Sequence, residues 1–223
     1  MQLLKYKYEP IIDRNFNVFG FEVLHKNAYQ LDWDQMDVLR LNSNLVEQLK
    51  EIFDQWCVKH YHCGCRFFLN VERRQFKDRN LLRKIAELST IMREKFGVTI
   101  IFELTERRID DLPIKELVAR KLEFKLNLAA DDVTQHDLRL NEIKYGLYNF
   151  VKFDDTVLNL NDHAEIEQLM EDLKLKFDCK FIAEKIDSPK LHSTAHALPF
   201  DYFQGYLYMN ASHRWANEVI ATG

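Results

Sequence analysis

The pattern that most constrains this chain is an alternation of short, β-rich apolar runs with longer amphipathic runs. We predict eight strands, at Lys5–Asp13, Phe19–Lys26, Arg66–Val71, Thr99–Leu104, Lys125–Ala130, Phe150–Asp154, Lys180–Glu184 and Tyr202–Tyr208. We predict seven helices, at Asp34–His60, Asn80–Phe96, Ile114–Lys121, Leu138–Tyr145, His163–Phe177, Pro189–Ala197 and His213–Ile220. Strands that alternate with helices favour a parallel sheet with crossover helices.

The first two strands depart from this alternation. Only Arg14–Val18 separates them, so we predict an antiparallel hairpin. The expected fold class is α/β, a (β/α)8 TIM-like barrel with an antiparallel first strand. A doubly wound open sheet is the alternative, because periodicity alone does not choose between the two. The 223 residues suit one barrel of about 200–250 residues, and no linker interrupts them, so we predict a single domain over 1–223.

Charge and composition exclude several classes of partner. The formal net charge is −4 and the Lys and Arg residues are dispersed, which argues against a nucleic-acid polymer. No apolar run approaches the ~20 residues of a membrane helix, and the first ten residues lack a signal-peptide core. Three of the 4 cysteines crowd into one short stretch, unlike a disulfide framework. We therefore expect no membrane association and a cytoplasmic location.

Polar residues follow the apolar part of nearly every predicted strand. They are Glu22, Asn70, Glu103, Asp131, Asp132, Lys152, Asp154, Glu184 and Gln204. The C-terminal ends of barrel strands meet on one face, where barrel enzymes place their chemistry. Clustered carboxylates stay ionised only if cations neutralise them, and such oxygen ligands suit Mg²⁺ or Mn²⁺. Two metals that share a carboxylate are a standard arrangement for cleaving a phosphodiester.

Each of these acids taken alone has a simpler explanation, as a helix N-cap or a surface residue. The prediction therefore rests on repetition of the pattern along successive strands. A glycosidase that uses a carboxylate pair is another alternative. It is less favoured because the chain offers more carboxylates than a pair, adds Asn70 and Lys152, and has only 3 Trp for a sugar platform.

Seven segments, in the same order along the chain, resemble the motifs of EAL domains. They are Tyr8–Ile11 with Phe21–Leu24, Phe68–Val71, Phe102–Glu106, Ala130–Asp132, Val151–Asp154, Ile182–Glu184 and Tyr202–Tyr206. The resemblance covers nearly the whole chain. It implies a barrel whose first strand is antiparallel to the rest. It also implies hydrolysis of cyclic diguanylate (cyclic di-GMP), a bacterial second messenger, to the linear dinucleotide pGpG.

The resemblance also assigns roles to individual residues. It implies two divalent cations, Mg²⁺ or Mn²⁺, the first held by Glu22, Asn70, Glu103 and Asp131, and the second by Asp131, Asp132 and Glu184. Lys152 would orient the attacking water, and Glu22, Lys152 and Glu184 form the catalytic set. Lys26, Asp154 and Gln204 would bind the substrate, and Glu106 would brace the loop after Asp132.

The chain departs from the family at three places. The segment Val133–Asp137 lacks the two glycines that follow the paired Asp in the family, so this loop should take another shape. Lys26 stands where the family usually has an Arg, and Glu9 where it commonly has a Gln. These departures support an alternative function, a catalytically degenerate EAL domain that binds the nucleotide or a protein partner and regulates by contact. A homodimer is a further alternative for its apolar surfaces.

One cluster stands apart from the strand ends. Cys57, His60, His62, Cys63 and Cys65 have the short spacing of soft-metal ligands and could bind zinc. The favoured interpretation is buried thiols and surface histidines, since the cluster precedes a strand and lies opposite the predicted cleft.

Overall fold

The computed structural model describes residues 6–26, 36–58, 64–105, 107, 112–134, 137, 139–160 and 162–209. Within these ranges the strands are β1 (Tyr6–Asp13), β2 (Val18–His25), β3 (Arg66–Val71), β4 (Thr99–Leu104), β5 (Leu128–Val133), β6 (Phe150–Phe153), β7 (Lys180–Ala183) and β8 (Tyr202–Gln204). They close into a barrel in sequence order. β1 is antiparallel to β2 and β8, and every other neighbouring pair is parallel. The predicted barrel with its antiparallel first strand is confirmed, and the open-sheet alternative is wrong.

The helices pack around the outside of the barrel. They are α1 (Val38–Ile52), α2 (Arg79–Phe96), α3 (Ile114–Phe124), α4 (Leu140–Lys144), α5 (Ala164–Phe177) and α6 (Pro189–Ala197). α1 begins after Asp37, whose side chain accepts a 2.8 Å hydrogen bond from the Arg40 amide. The predicted helix Asp34–His60 is too long, because α1 ends at Ile52 and a π-helical turn over Phe53–Val58 follows. The predicted helix His213–Ile220 lies outside the described residues.

The predicted hairpin is confirmed. The Asp13 carboxylate accepts hydrogen bonds of 2.8 Å from the amides of both Asn15 and Asn17, which fixes the turn between β1 and β2.

Two strand predictions need correction. The predicted strand Lys125–Ala130 lies three residues too early, because Lys125 adopts a left-handed φ of 51° and ends α3 instead of starting β5. β5 consequently contains both Asp131 and Asp132. The predicted strand Tyr202–Tyr208 is too long, because Gly205 (φ 150°) ends the strand and a single 3₁₀ turn over Tyr206–Tyr208 follows.

The barrel interior is filled by a small apolar plug. Its buried members are Ile11, Phe68, Ile101, Ala129 and Ile182, with Phe19, Phe150 and Tyr202 packed against them. A much larger apolar cluster lies between the barrel and the helices. Because side chains alternate across a strand, a residue two positions after a plug residue also points into the barrel. The polar strand ends are therefore directed inward, above the plug.

Among the described residues, no helix combines the length and the apolar character needed to cross a bilayer.

Two glycines with unusual backbone angles provide a matched test of the fold. A Cβ at Gly205 would collide with the backbone nitrogen and oxygen of Ile186, whereas a Cβ at Gly64 (φ 60°) would meet no atom within 4 Å. Gly64→Ala should cost about 1–2 kcal/mol, the ordinary penalty for a left-handed residue. Gly205→Ala should cost about 3 kcal/mol or more, because backbone must also move.

Thermal unfolding of the two variants provides the measurement. The melting temperature of Gly205→Ala should fall by roughly 6–12 °C, given about 2–4 °C per kcal/mol at this size. Equal losses in the two variants would show that the approach of Gly205 to Ile186 does not matter.

Candidate functional site

A buried lysine lies at the centre of the polar cluster. The Nζ atom of Lys152, on β6, lies 2.7 Å from a carboxylate oxygen of Glu184, 2.8 Å from Glu103, 3.0 Å from Asp131 and 3.3 Å from Glu22. The side chain of Lys152 is 0% exposed. Three acids from β2, β4 and β5 and a fourth directly after β7 thus converge on one ammonium group, which confirms the expected convergence on the C-terminal face.

Strand alternation explains how the cluster forms. Asn70 stands two positions after Phe68 of the plug, and Glu103 stands two positions after Ile101. The parallel pairing of β3 with β4 sets Asn70 directly beside Glu103. Glu184 follows Ile182 by the same interval. The inward positions of the apolar residues therefore determine the inward positions of the polar ones.

A bulge in β5 separates the paired aspartates. The pairing of β5 with β6 passes from Ala130 opposite Val151 to Val133 opposite Phe153, so three steps on β5 match two on β6. Asp132 takes up the extra step with a left-handed φ of 50°. As a result Asp131 contacts Lys152, whereas Asp132 makes a different ion pair.

Glu22 is held by two amide side chains in addition to Lys152. The Nε2 group of Gln204 donates a 2.5 Å hydrogen bond to one carboxylate oxygen, and the Nδ2 group of Asn70 donates a 3.2 Å bond to the other. Gln204 also lies 3.4 Å from Glu9. Gln204, predicted to bind substrate, is buried in this structure and positions Glu22.

The acids of the cluster differ in their affinity for protons. Burial raises the pKa of Glu103 well above its ordinary value, and it raises the pKa of Glu184 to about 8, in both cases against the attraction of Lys152. Burial also acts to raise the pKa of Glu22, but Lys152 and the hydrogen bond from Gln204 outweigh it and lower that pKa. The four carboxylates raise the pKa of Lys152 although burial opposes them.

The cluster is short of positive charge. An ammonium group has three donors and one charge, which cannot satisfy four carboxylates. Oε1 of Glu103 is ion-paired with Lys152, whereas Oε2 of Glu103 and Oε2 of Glu184 accept no hydrogen bond among the described residues. Carboxylate oxygens that accept no hydrogen bond are hard ligands that suit a divalent cation. The predicted first metal ligands, Glu22, Asn70, Glu103 and Asp131, therefore fit such an ion in their chemistry.

The carboxylates among these predicted ligands nevertheless face Lys152. Within the described part of the chain, no three His, Cys, Asp or Glu side chains stand in a metal-coordinating arrangement. The acids that would hold the first ion instead direct their oxygens at the lysine.

A second ammonium group lies beside the cluster. Nζ of Lys185, the residue after Glu184, lies 2.7 Å from Oδ1 of Asp132 and forms a shorter ion pair with Oδ2 of Asp154. Burial acts to raise the pKa of Asp154, but hydrogen bonds from Lys185 and Thr156 outweigh it and lower that pKa to about 2. Asp132, a predicted metal ligand, and Asp154, a predicted substrate residue, are thus both ion-paired to Lys185.

The loop after β5 is fastened by a buried arginine. Arg139, whose side chain is 1% exposed, donates to the backbone oxygens of Asp132 (3.1 Å) and Leu104 (3.4 Å). Its guanidinium also pairs with Asp137 at 2.5 Å. Asp137, the last residue of the segment that lacks the family glycines, is therefore tied through Arg139 to the ends of β4 and β5.

A cavity of about 240 Å³ opens next to the cluster. Asn70, Asp131 and Asp132 form part of its wall. The lining also includes polar groups from the segment after β4 and from α1, among them Arg107, Asn44 and Gln48. The acids therefore border a space that a polar ligand can enter.

The remaining predicted residues lie away from the Lys152 cluster or outside the described residues. Lys26 is exposed and directly follows β2, on the same face as the cluster. Glu106 lies outside the described residues. Of the cysteine and histidine cluster, Cys57 and Cys65 are buried, whereas His60, His62 and Cys63 lie outside the described residues, so the zinc site stays a prediction.

Sequence reasoning missed two residues of the site, Lys185 and Arg139. Lys185 could have been found, because it follows an apolar strand as the other site residues do. Arg139 carried no such signal, since the groups it binds include backbone carbonyls remote in sequence.

Comparison with known proteins gives one family. A family model for the EAL domain matches residues 34–211. No curated protein sequence matches the chain.

Several solved structures share the fold. An EAL domain protein from Listeria monocytogenes EGD-e has a TM-score of 0.68 and 15% identity, with 90% of this chain and 85% of that chain covered. The PaMucR phosphodiesterase in complex with c-di-GMP has a TM-score of 0.68 and 18% identity, covering 91% and 94%. Klebsiella pneumoniae BlrP1, as a calcium/cy-diGMP complex, has a TM-score of 0.69 and 15% identity, covering 91% and 54%. At these identities the likeness shows the fold.

Replacement of Lys152 by Met tests the charge balance of the cluster. The variant leaves four carboxylates without their shared counter-charge, and loss of one partner of a buried ion pair costs about 3–5 kcal/mol. The free energy of unfolding at neutral pH should fall by this amount. An exposed lysine, Lys190, gives the matched control Lys190→Met.

Lowering the pH should restore part of the stability of Lys152→Met. Glu103 and Glu184 bind protons more tightly in the folded state, so the stability of the variant should rise as the pH falls from about 8 towards 4.5. Urea unfolding at several pH values measures this. If Lys152→Met matches Lys190→Met at every pH, the carboxylates do not depend on Lys152.

Proposed function

Since this chain belongs to the EAL domain family, we propose that it binds cyclic di-GMP at the C-terminal face of the barrel and hydrolyses it to linear pGpG. The observation that carries the proposal is the convergence of Glu22, Glu103, Asp131 and Glu184, with Asn70 beside them, next to an open cavity. The proposed substrate is a bacterial second messenger, so the proposal implies a cytoplasmic location.

The proposal includes divalent cations, Mg²⁺ or Mn²⁺. Glu22, Asn70, Glu103 and Asp131 would hold one ion, and Asp131, Asp132 and Glu184 are the ligands predicted for a second. Such ions, when bound, neutralise the phosphate and activate a water molecule. Binding requires the acids to turn from Lys152 towards the ion. Their shortage of positive charge and the unpartnered Oε2 of Glu103 favour that exchange.

The protein side chains provide the proton transfer and the orientation. Water attacks the phosphorus, the bond from phosphorus to the ribose oxygen breaks, and that oxygen takes up a proton to become a hydroxyl, which opens the ring. In its ionised form Glu184 is suited to take the proton from this water, because a pKa of about 8 makes that form a stronger base than an ordinary carboxylate, and its Oε2 accepts no hydrogen bond among the described residues. Lys152 has donors that can orient the water once the acids release them.

The cavity would hold part of the substrate. Its volume of about 240 Å³ lies just below the usual ~300–1,000 Å³ of small-molecule sites, which suits one half of a dinucleotide. Arg107 offers a positive charge for a phosphate, and Asn44 and Gln48 offer amides for a base edge.

The structural relatives support the ligand. PaMucR is named as a phosphodiesterase in complex with c-di-GMP, and Klebsiella BlrP1 as a complex with calcium and cyclic di-GMP. Each shares the barrel fold with this chain.

A second candidate function is a regulator that binds the nucleotide, or a protein partner, without cutting the diester. The observation that favours it is the ion pairing of Asp132 and Asp154 with Lys185, which engages a predicted metal ligand and a predicted substrate residue. The altered segment after Asp132 also favours it, because Arg139 holds Asp137 of that segment and the backbone oxygen of Asp132.

An assay with purified protein separates the two functions. Cyclic di-GMP is incubated with the protein and Mn²⁺ or Mg²⁺, and pGpG is followed by chromatography. The enzyme should release pGpG, and Glu22→Gln should be slower by at least about 100-fold, since loss of groups that merely support metal ligands already costs about 10–100-fold. Glu171→Gln, an exposed glutamate on α5, is the matched control and should leave the rate unchanged.

Nucleotide binding is measured in parallel by calorimetry. Binding of cyclic di-GMP without pGpG in either metal would reject hydrolysis in favour of the regulator. Product that is equal in Glu22→Gln and wild type would show that the cluster is not the active site.

A further inference from the structure

Lys185 bridges the ends of two neighbouring strands. It follows β7, and its ammonium group contacts the carboxylates of Asp132 on β5 and Asp154 after β6. The Lys185 side chain therefore reaches across the end of β6 to Asp132. Asp132 is not among the four acids that contact Lys152.

The backbone on both sides of this ion pair is unusual. Lys185 has a φ of 55° and Asp132 a φ of 50°, both in the left-handed region that residues with a Cβ seldom occupy. At Asp132 this angle belongs to the β5 bulge, which separates it from Asp131. The two turns thus point both side chains at the same spot above the strand ends.

We propose that the Lys185 ammonium takes the position of the second divalent cation, so that this chain binds one divalent ion tightly rather than two. This inference rests on the proposed function. The tight ion would lie among Glu22, Asn70, Glu103 and Asp131. The single charge of Lys152 is shared there by four carboxylates, so that group keeps net negative charge for an ion. Next to Asp132, the Lys185 charge supplies the neutralisation that a second ion would otherwise bring.

Electrostatic repulsion is the physical basis of this exclusion. An ion bound to Asp132 would stand within a few ångströms of Nζ, and like charges at such distances repel strongly. The side chains of Asp132 and Lys185 are 42% and 54% exposed, so solvent screens the pair. Lys185 should therefore weaken the second site by a finite factor, which a titration can measure.

The experiment counts bound Mn²⁺ on the full chain, by electron paramagnetic resonance of free Mn²⁺ and by calorimetry. Wild type and the control Lys190→Met should show one tight site and a second at least about 10-fold weaker. Lys185→Met keeps the length of the side chain without its charge, and should bring the second site to within a few-fold of the first. Lys185→Gly, which suits the left-handed backbone, is a second variant in case Lys185→Met does not fold.

The outcomes separate this inference from the proposed function. Two equally tight sites in wild type, or no change of the second site in either Lys185 variant, would overturn the role of Lys185. If pGpG is still released in that case, the proposed hydrolase stands. No tight Mn²⁺ site in any of the proteins would overturn the inference as well, and absence of pGpG would then count against the hydrolase.

Discussion

The contact of Lys152 with four carboxylates is the interaction on which the rest of this site depends. Glu22, Glu103, Asp131 and Glu184 come from the C-terminal ends of four strands and would repel one another in a dry interior. A single ammonium group at their centre allows the barrel to close with these acids inside. It does so incompletely, because burial still raises the pKa of Glu103 and Glu184. The fold thus contains an acidic centre that attracts further positive charge.

The β5 bulge gives neighbouring residues different surroundings. Without an extra residue in β5, strand alternation would send Asp131 and Asp132 to opposite faces of the sheet. The left-handed step at Asp132 instead keeps its carboxylate at the rim, where Lys185 meets it. Arg139 holds the backbone oxygen of Asp132 from the other side and stabilises the bulge. A bulge next to a polar cluster is a common way to direct a side chain.

Two lysines therefore divide the acids of this face into two groups. Lys152 is fully buried and serves four carboxylates, so its group is strongly deficient in positive charge. Lys185 is half-exposed and serves two, so its group is closer to balance. The fold class alone does not determine this difference, since a shared barrel hosts sites whose chemistry depends on individual residues.

The sequence by itself determined the order of the elements, the hairpin at the start, and the inward polar residues at the strand ends. These features are local, because strand alternation and turn length act over a few residues. Asn70, Glu103, Lys152 and Glu184 were accordingly predicted and found together. Only the tertiary structure decided the closure of the barrel, the bulge that separates Asp131 from Asp132, and the partners of Lys185 and Arg139. Those contacts depend on distances between strands far apart in sequence, and no local periodicity specifies which acid a long, flexible lysine reaches.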